Sequence, residues 1–144
     1  MNKEEIFNIF YGKEKWDVWN QFLKIESSIE SDNQLYDCFD DIKNMLINEK
    51  AYIKMRGFRI ICKLSKWDKE CKINSIIDIL LDVIDNEKPT IVRMCFQNIN
   101  DLLLYKPELS SKIKNKLENL NLLKYKDSMQ SLIKKDIDII LKNV

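Results

Sequence analysis

The feature that most restricts how this chain can fold is a repetition. The stretch Asn48–Asp68, NEKAYIKMRGFRIICKLSKWD, is followed 38 residues after its start by Asn86–Lys106, NEKPTIVRMCFQNINDLLLYK. Setting residues 35–64 against residues 73–102 gives eight identities: Asp40/Asp78, Asn48/Asn86, Glu49/Glu87, Lys50/Lys88, Ile53/Ile91, Phe58/Phe96, Ile61/Ile99 and Leu64/Leu102. Leu35/Ile73, Phe39/Ile77, Ile42/Leu80 and Leu46/Ile84 keep apolar character across the same shift. In the second unit Ile73, Ile76, Ile77, Leu80 and Ile84 fall at helical spacing, and Pro89 follows the polar turn DNEK at a place where a first helical turn tolerates it. Each unit therefore reads as two amphipathic helices. One such pair cannot bury its own apolar face, so a period near 40 built from helix pairs predicts a stack.

The expected fold class is all-α: an α-α superhelix, or solenoid, of about four antiparallel helix pairs. Only two Gly and two Pro occur in 144 residues, too few for the turns of a sheet protein. A length in the usual range of roughly 100–200 residues, with no linker or low-complexity stretch, predicts one domain over 1–144. The flanks read as degenerate units. Upstream, a short helix around Glu4–Tyr11 precedes a longer one from about Lys13 to Glu30, with Trp16, Trp19 and Phe22 filling the core at that end. Downstream, Pro107 opens a helix that turns Leu109, Ile113, Leu117 and Leu120 inward, and a closing helix does the same with Met129, Leu132, Ile133, Ile137, Ile140 and Leu141. Gly57, in mid-helix, should cost about 1 kcal/mol relative to Ala, which predicts close helix packing there, in line with the small Cys95 at the equivalent position. Trp67 should plug an interhelix gap beside a capping Asp68.

Little in the chain suggests chemistry. There is no His, which removes the commonest general base, the Ser-His and Cys-His nucleophile pairs and most catalytic zinc sites. Cys38, Cys62, Cys71 and Cys95 lie far apart with no CxxC pair, so free thiols are expected, with no metal and no cofactor. Gly12 and Gly57 are isolated, so no phosphate-cradling loop forms. The carboxylate pairs Asp40/Asp41, Asp82/Asp85 and Asp136/Asp138 suit solvated helix faces. The N-terminus carries Glu4 and Glu5 ahead of a very short apolar run, and the longest apolar stretch, INSIIDILLDVID, is broken by Asp78 and Asp82, which points to a cytoplasmic protein without membrane association. The expectation is a protein that is not an enzyme.

The formal net charge is +1, so electrostatic binding would need a local patch. At 100° per residue, Tyr52, Arg56, Arg59, Lys63 and Lys66 share a narrow arc opposite Ile53, Gly57, Ile61 and Leu64, and no acidic residue interrupts it. Stacked second helices would set Arg93, Gln97 and Asn100 beside it. Arg forks pair with carboxylates and phosphates, so the arc, with Arg93 and Gln97, is the candidate partner-binding surface for an acidic or phosphorylated protein segment.

Val92-Arg93 matches a dipeptide that often begins the second helix of HEAT or armadillo-type repeats, and Met55-Arg56 matches it loosely. More closely, RGFRIICKLSKWD, EKPTIVRMC, YKPEL and YKDSMQSLIKKDIDIIL resemble a group of small, uncharacterised bacterial HEAT-like proteins, some of which carry a SufBD label. The resemblance spans most of residues 30–142. It implies a helical-repeat fold and carries almost nothing about activity. It does not extend to iron–sulfur chemistry, since the chain has no Cys/His set to hold a cluster. An alternative comes from HEAT-like DNA alkylation-repair glycosylases, whose basic concave face holds duplex DNA; on that analogy the chain would bind nucleic acid, with Asp17 near Trp16 and Trp19 the one carboxylate among aromatics.

Overall fold

The computed structural model describes residues 1–144 as nine α-helices joined by turns and short 3-10 segments, with no strand. In chain order the helices are α1 (Lys3–Phe10), α2 (Trp16–Ser28), α3 (Phe39–Met45), α4 (Ala51–Leu64), α5 (Lys72–Ser75), α6 (Ile77–Asp82), α7 (Pro89–Tyr105), α8 (Ser110–Glu118) and α9 (Asp127–Leu141). Local signals explain several starts. Asn2 caps α1, its Oδ1 accepting from Glu5 N at 2.8 Å, with Glu4 and Glu5 in the first turn where acidic side chains oppose the helix dipole. Pro89 begins α7, where its missing N–H leaves nothing unsatisfied. The two NEK turns fold alike: Asn48 Oδ1 accepts from Lys50 N and Asn86 Oδ1 from Lys88 N, both at 2.9 Å.

One core cluster of 38 buried apolar residues runs from Phe10 to Ile140. The longest helices pass contacts along the chain, α2 to α4, α4 to α7 and α7 to α9, and α4 rests most extensively on α7. Arg59 Nη1 donates to Gln97 Oε1 at 2.6 Å, and one turn further along Lys63 reaches Asp101 at 2.8 Å. Both pairs are 38 residues apart (97 − 59 and 101 − 63), so α4 and α7 run side by side in the same direction, one repeat out of step.

The helix before α7 is interrupted: α5 ends at Ser75 and α6 starts at Ile77, yet Ile73, Ile76, Ile77, Leu80 and Ile84 are all buried as their spacing predicted. Asp68 holds that corner. Its carboxylate accepts from Lys72 N at 2.9 Å, Ile73 N at 3.0 Å and the Tyr36 hydroxyl at 2.6 Å, and pairs with Lys106 at 3.1 Å. Burial and the Asp68 carboxylate both push the Tyr36 phenol well above its usual range. Burial pulls the Lys106 ammonium down, but Asp68 and Glu108 outweigh it and leave the group raised. Trp67 plugs the gap expected of it, its indole donating to Ile29 O at 2.7 Å.

Two inward assignments need correction. Trp16, expected in the core, is 77% exposed because it occupies the first turn of α2, past the end of the face that carries Phe22 and Ile25 inward. Leu132, expected inward on α9, is exposed while Ile133, Ile137 and Ile140 form the buried stripe. No helix is long and apolar enough to cross a membrane.

At Gly57 an added Cβ would stand 2.8 Å from Met45 Cβ and 3.4 Å from Ile42 O, so α3 touches α4 backbone to backbone. Neither Cβ can rotate away. Strain of up to about 3 kcal/mol, less the roughly 1 kcal/mol of helix propensity regained, leaves Gly57→Ala destabilised by about 2 kcal/mol, to be read as a lower urea midpoint at unchanged m-value.

Candidate functional site

The arc on α4 forms, but much of it faces protein. Arg56 is 1% exposed and Arg59 4% exposed. The expectation of a solvent-facing basic stripe is corrected at these two positions, because neighbouring helices supply acceptors that helical geometry within α4 cannot reveal. Arg56 closes the end of α1. Its Nη1 donates to Phe10 O at 2.9 Å and Gly12 O at 2.7 Å, and its Nη2 to Lys13 O at 3.2 Å, which satisfies carbonyls that a helix terminus leaves without partners. The guanidinium lies 4.9 Å from the Tyr52 ring centroid, and desolvation lowers its pKa from the ordinary arginine value.

Arg59 makes a fork on Glu26 of α2, with Nε and Nη2 each 2.8 Å from a carboxylate oxygen. Its Nη1 also donates to Met94 O at 2.8 Å as well as to Gln97. Asn98 completes the network, its amide donating to Glu26 Oε2 and to Arg59 O at 3.1 Å. The Trp19 ring covers the guanidinium at 5.4 Å. Glu26, buried at 5% exposure, was no candidate in the sequence; the available signal was a lone acid on the apolar face of its helix, in line with Ile25 and Ile29.

The remaining basic members are also matched. Lys63 pairs with Asp101, and burial, which lowers its pKa, is outweighed by that carboxylate. Lys66 donates to Glu30 O at 2.6 Å, and Arg93 pairs with Asp136 at 2.6 Å, a contact that raises its pKa. The structure thus brings Arg59 and Gln97 into direct contact, leaves Tyr52 half-buried beside Arg56, and places Arg93 one groove further on between α7 and α9.

What stays open on this side is mostly aromatic and apolar. Trp16 and Trp19 of α2, Tyr52 and Met55 of α4, and Met94 of α7 surround a cavity of about 360 Å³. Thr90 and Met94 also border a second depression of about 490 Å³ that continues over Arg93 and Gln97 to Met129 and Ile139 of α9. The two adjoin at Thr90 and Met94, so together they run across α2, α4, α7 and α9. No cluster of three His, Cys, Asp or Glu residues is placed to hold a metal ion. The carboxylates of Asp82, Asp85, Asp136 and Asp138 each pair with a Lys or Arg. No family model, curated protein or solved structure matches this chain.

Breaking the buried Arg59–Glu26 pair leaves a charge stranded, so Arg59→Ala should lose about 3–5 kcal/mol of stability, whereas Arg59→Met combined with Glu26→Leu should lose less than either single change. Urea melts of the unaltered protein, the three single variants and the double variant test both statements. Burial pushes the Cys62 and Cys95 thiols far above their ordinary value, whereas Cys71 is exposed. Iodoacetamide at mildly alkaline pH should therefore label Cys71 first and leave Cys62 and Cys95 unmodified in folded protein, as read by peptide mass spectrometry.

Proposed function

We propose that the chain is a non-enzymatic protein-binding module, a short HEAT-like α-solenoid of antiparallel helix pairs that receives a partner segment in the groove across α2, α4, α7 and α9. The solenoid reading is supported by the bonds that span one repeat period, Trp67 to Ile29 and Arg59 to Gln97, each 38 residues apart. Contacts between residues one period apart are what stacking of equivalent units produces. The cytoplasm suits four free thiols, which persist in a reducing compartment.

The observation that carries the binding role is Trp16, 77% exposed at the mouth of a cavity walled by Trp19, Tyr52, Met55 and Met94. Burying an exposed indole stabilises a complex substantially, and aromatic residues dominate binding energy at interfaces. The partner chemistry changes from the one expected of the basic arc. With Arg59 matched by Glu26, Lys63 by Asp101 and Arg93 by Asp136, the arc offers few free cations, so an apolar anchor side chain replaces a run of acids or phosphates as the main determinant. The same neutralisation removes the motive for placing nucleic acid along this arc.

The test is site-specific. A photo-crosslinking amino acid at position 16 should capture a discrete partner in cells, and the same group at exposed Lys114 on α8 should not. Trp16→Ala should leave the melting temperature unchanged and weaken that partner by some thirtyfold, the equivalent of about 2 kcal/mol at a hot spot. Equal capture from both positions, or full binding by Trp16→Ala, would place the interface elsewhere.

A further inference from the structure

Arg56 and Arg59 are both buried, but their charges are treated differently. Glu26 forks onto Arg59, whereas every partner of Arg56 is a neutral backbone carbonyl, those of Ile9, Phe10, Gly12 and Lys13. The end of α1 contributes roughly half a negative charge against a full positive one. Arg56 Nε is buried and has no partner. The nearest influential carboxylate, Glu14, is exposed and forms no ion pair with it. A buried cation without a counter-ion is costly, and this one lines the cavity described above.

The cavity has a second source of positive field. Trp16, Tyr52 and Thr90 stand in the first turns of α2, α4 and α7, and all three line it, so the N-termini of three helices converge there. Their cap positions hold Lys15, Lys50 and Lys88, none of which provides a side-chain acceptor to the first-turn N–H groups. Lys is a poor choice for that position, because it sets a cation against the positive end of a dipole worth roughly half a charge. The three uncapped first turns leave N–H donors and helix dipoles around one opening, with Arg56 in the wall; of the three cap lysines only Lys15 lines it, and Asp17, in the first turn of α2, opposes that helix's dipole without lining the cavity. Glu14 and Lys15 at the rim offset each other.

We propose that this cavity captures the C-terminal residue of the partner chain, its apolar side chain held among Trp16, Trp19 and Met94 and its terminal carboxylate drawn to Arg56 and the helix N-termini. The inference rests on the docking role argued above and specifies its chemistry. A terminal residue suits the site because its carboxylate lies next to its own side chain, so one small cavity engages both, and capture of a chain terminus by backbone N–H groups is an established recognition mode. A phosphate ester, or an acidic side chain within a longer segment, would separate the charge from the apolar anchor.

The probes are N-acetyl-phenylalanine, which keeps a free carboxylate, and N-acetyl-phenylalanine amide, which does not. Each is titrated into isotope-labelled full-length protein, with the indole N–H signals of Trp16 and Trp19 and the first-turn amides of α2, α4 and α7 followed by NMR. The acid should shift these signals saturably and bind about fivefold or more tightly than the amide, as expected when several helix termini act together. Arg56→Gln is an unsafe test, since Arg56 also holds the end of α1. The exposed rim carries the test instead: Glu14→Gln should tighten the acid two- to threefold, by roughly the influence of one partly screened charge, without affecting the amide. Equal affinity for acid and amide would overturn carboxylate capture while leaving an apolar docking site. No shift with either probe up to about 10 mM, the range of a very weak complex, would also overturn it, and crosslinking from position 16 would then decide the docking role independently.

Discussion

The fork of Arg59 on Glu26 is the contact on which much of the arrangement depends. It joins α2 to α4, and through Met94 O, Gln97 and Asn98 it reaches α7, so three consecutive long helices share one buried polar network. Apolar packing is tolerant of sliding, because a row of Ile and Leu can settle one turn away at modest cost. A bidentate ion pair in a low-dielectric interior is not tolerant, since a shift leaves both charges desolvated and unmatched. The network accordingly fixes the relative register of these helices, and with it the positions of Trp19, Tyr52 and Met94 around the cavity.

The Arg56 contacts act on the other boundary of the same space. By holding the carbonyls from Phe10 to Lys13, Arg56 ties the α1–α2 turn to the middle of α4, and that turn leads directly into Glu14, Lys15 and Trp16 at the rim. Local structure and candidate function therefore share one side chain. Removing it would loosen a helix end and change the field in the cavity together.

The helical composition of the fold, the NEK turns, the Gly57 contact and most of the core were legible in the sequence, because helical periodicity and a 38-residue shift are local properties of the chain. The fate of the basic arc was not. Helical geometry correctly groups Arg56, Arg59, Lys63 and Lys66, but whether such a row meets water or protein depends on what the adjacent helices present. Glu26 lies 33 residues before Arg59, and the carbonyls that hold Arg56 carry no signature in side-chain identity at all. Trp16 failed for a related reason: an aromatic residue at a helix start is easily counted into the apolar face, although the first turn overhangs the edge of the core. A usable signal did exist for Lys63, since the same repeat position one period later holds Asp101, its partner.

That complementary pair bears on why the two units are only partly alike. Suppose the repeats were perfect copies. At the two seam positions each residue would then meet its own copy, so Lys63 would face another lysine and Arg59 another arginine, and like charges at such range repel. A homogeneous array of this unit would be frustrated along its whole length. Apart from Asp40/Asp78, the identities between the units fall at apolar positions and in the NEK turns, while at the seam Lys63 has diverged to the opposite charge, Asp101, and Arg59 to a neutral acceptor, Gln97. On this view the divergence at these two positions has a physical cause: where a copy meets its own counterpart laterally, a charged residue adheres only to a residue that differs from it.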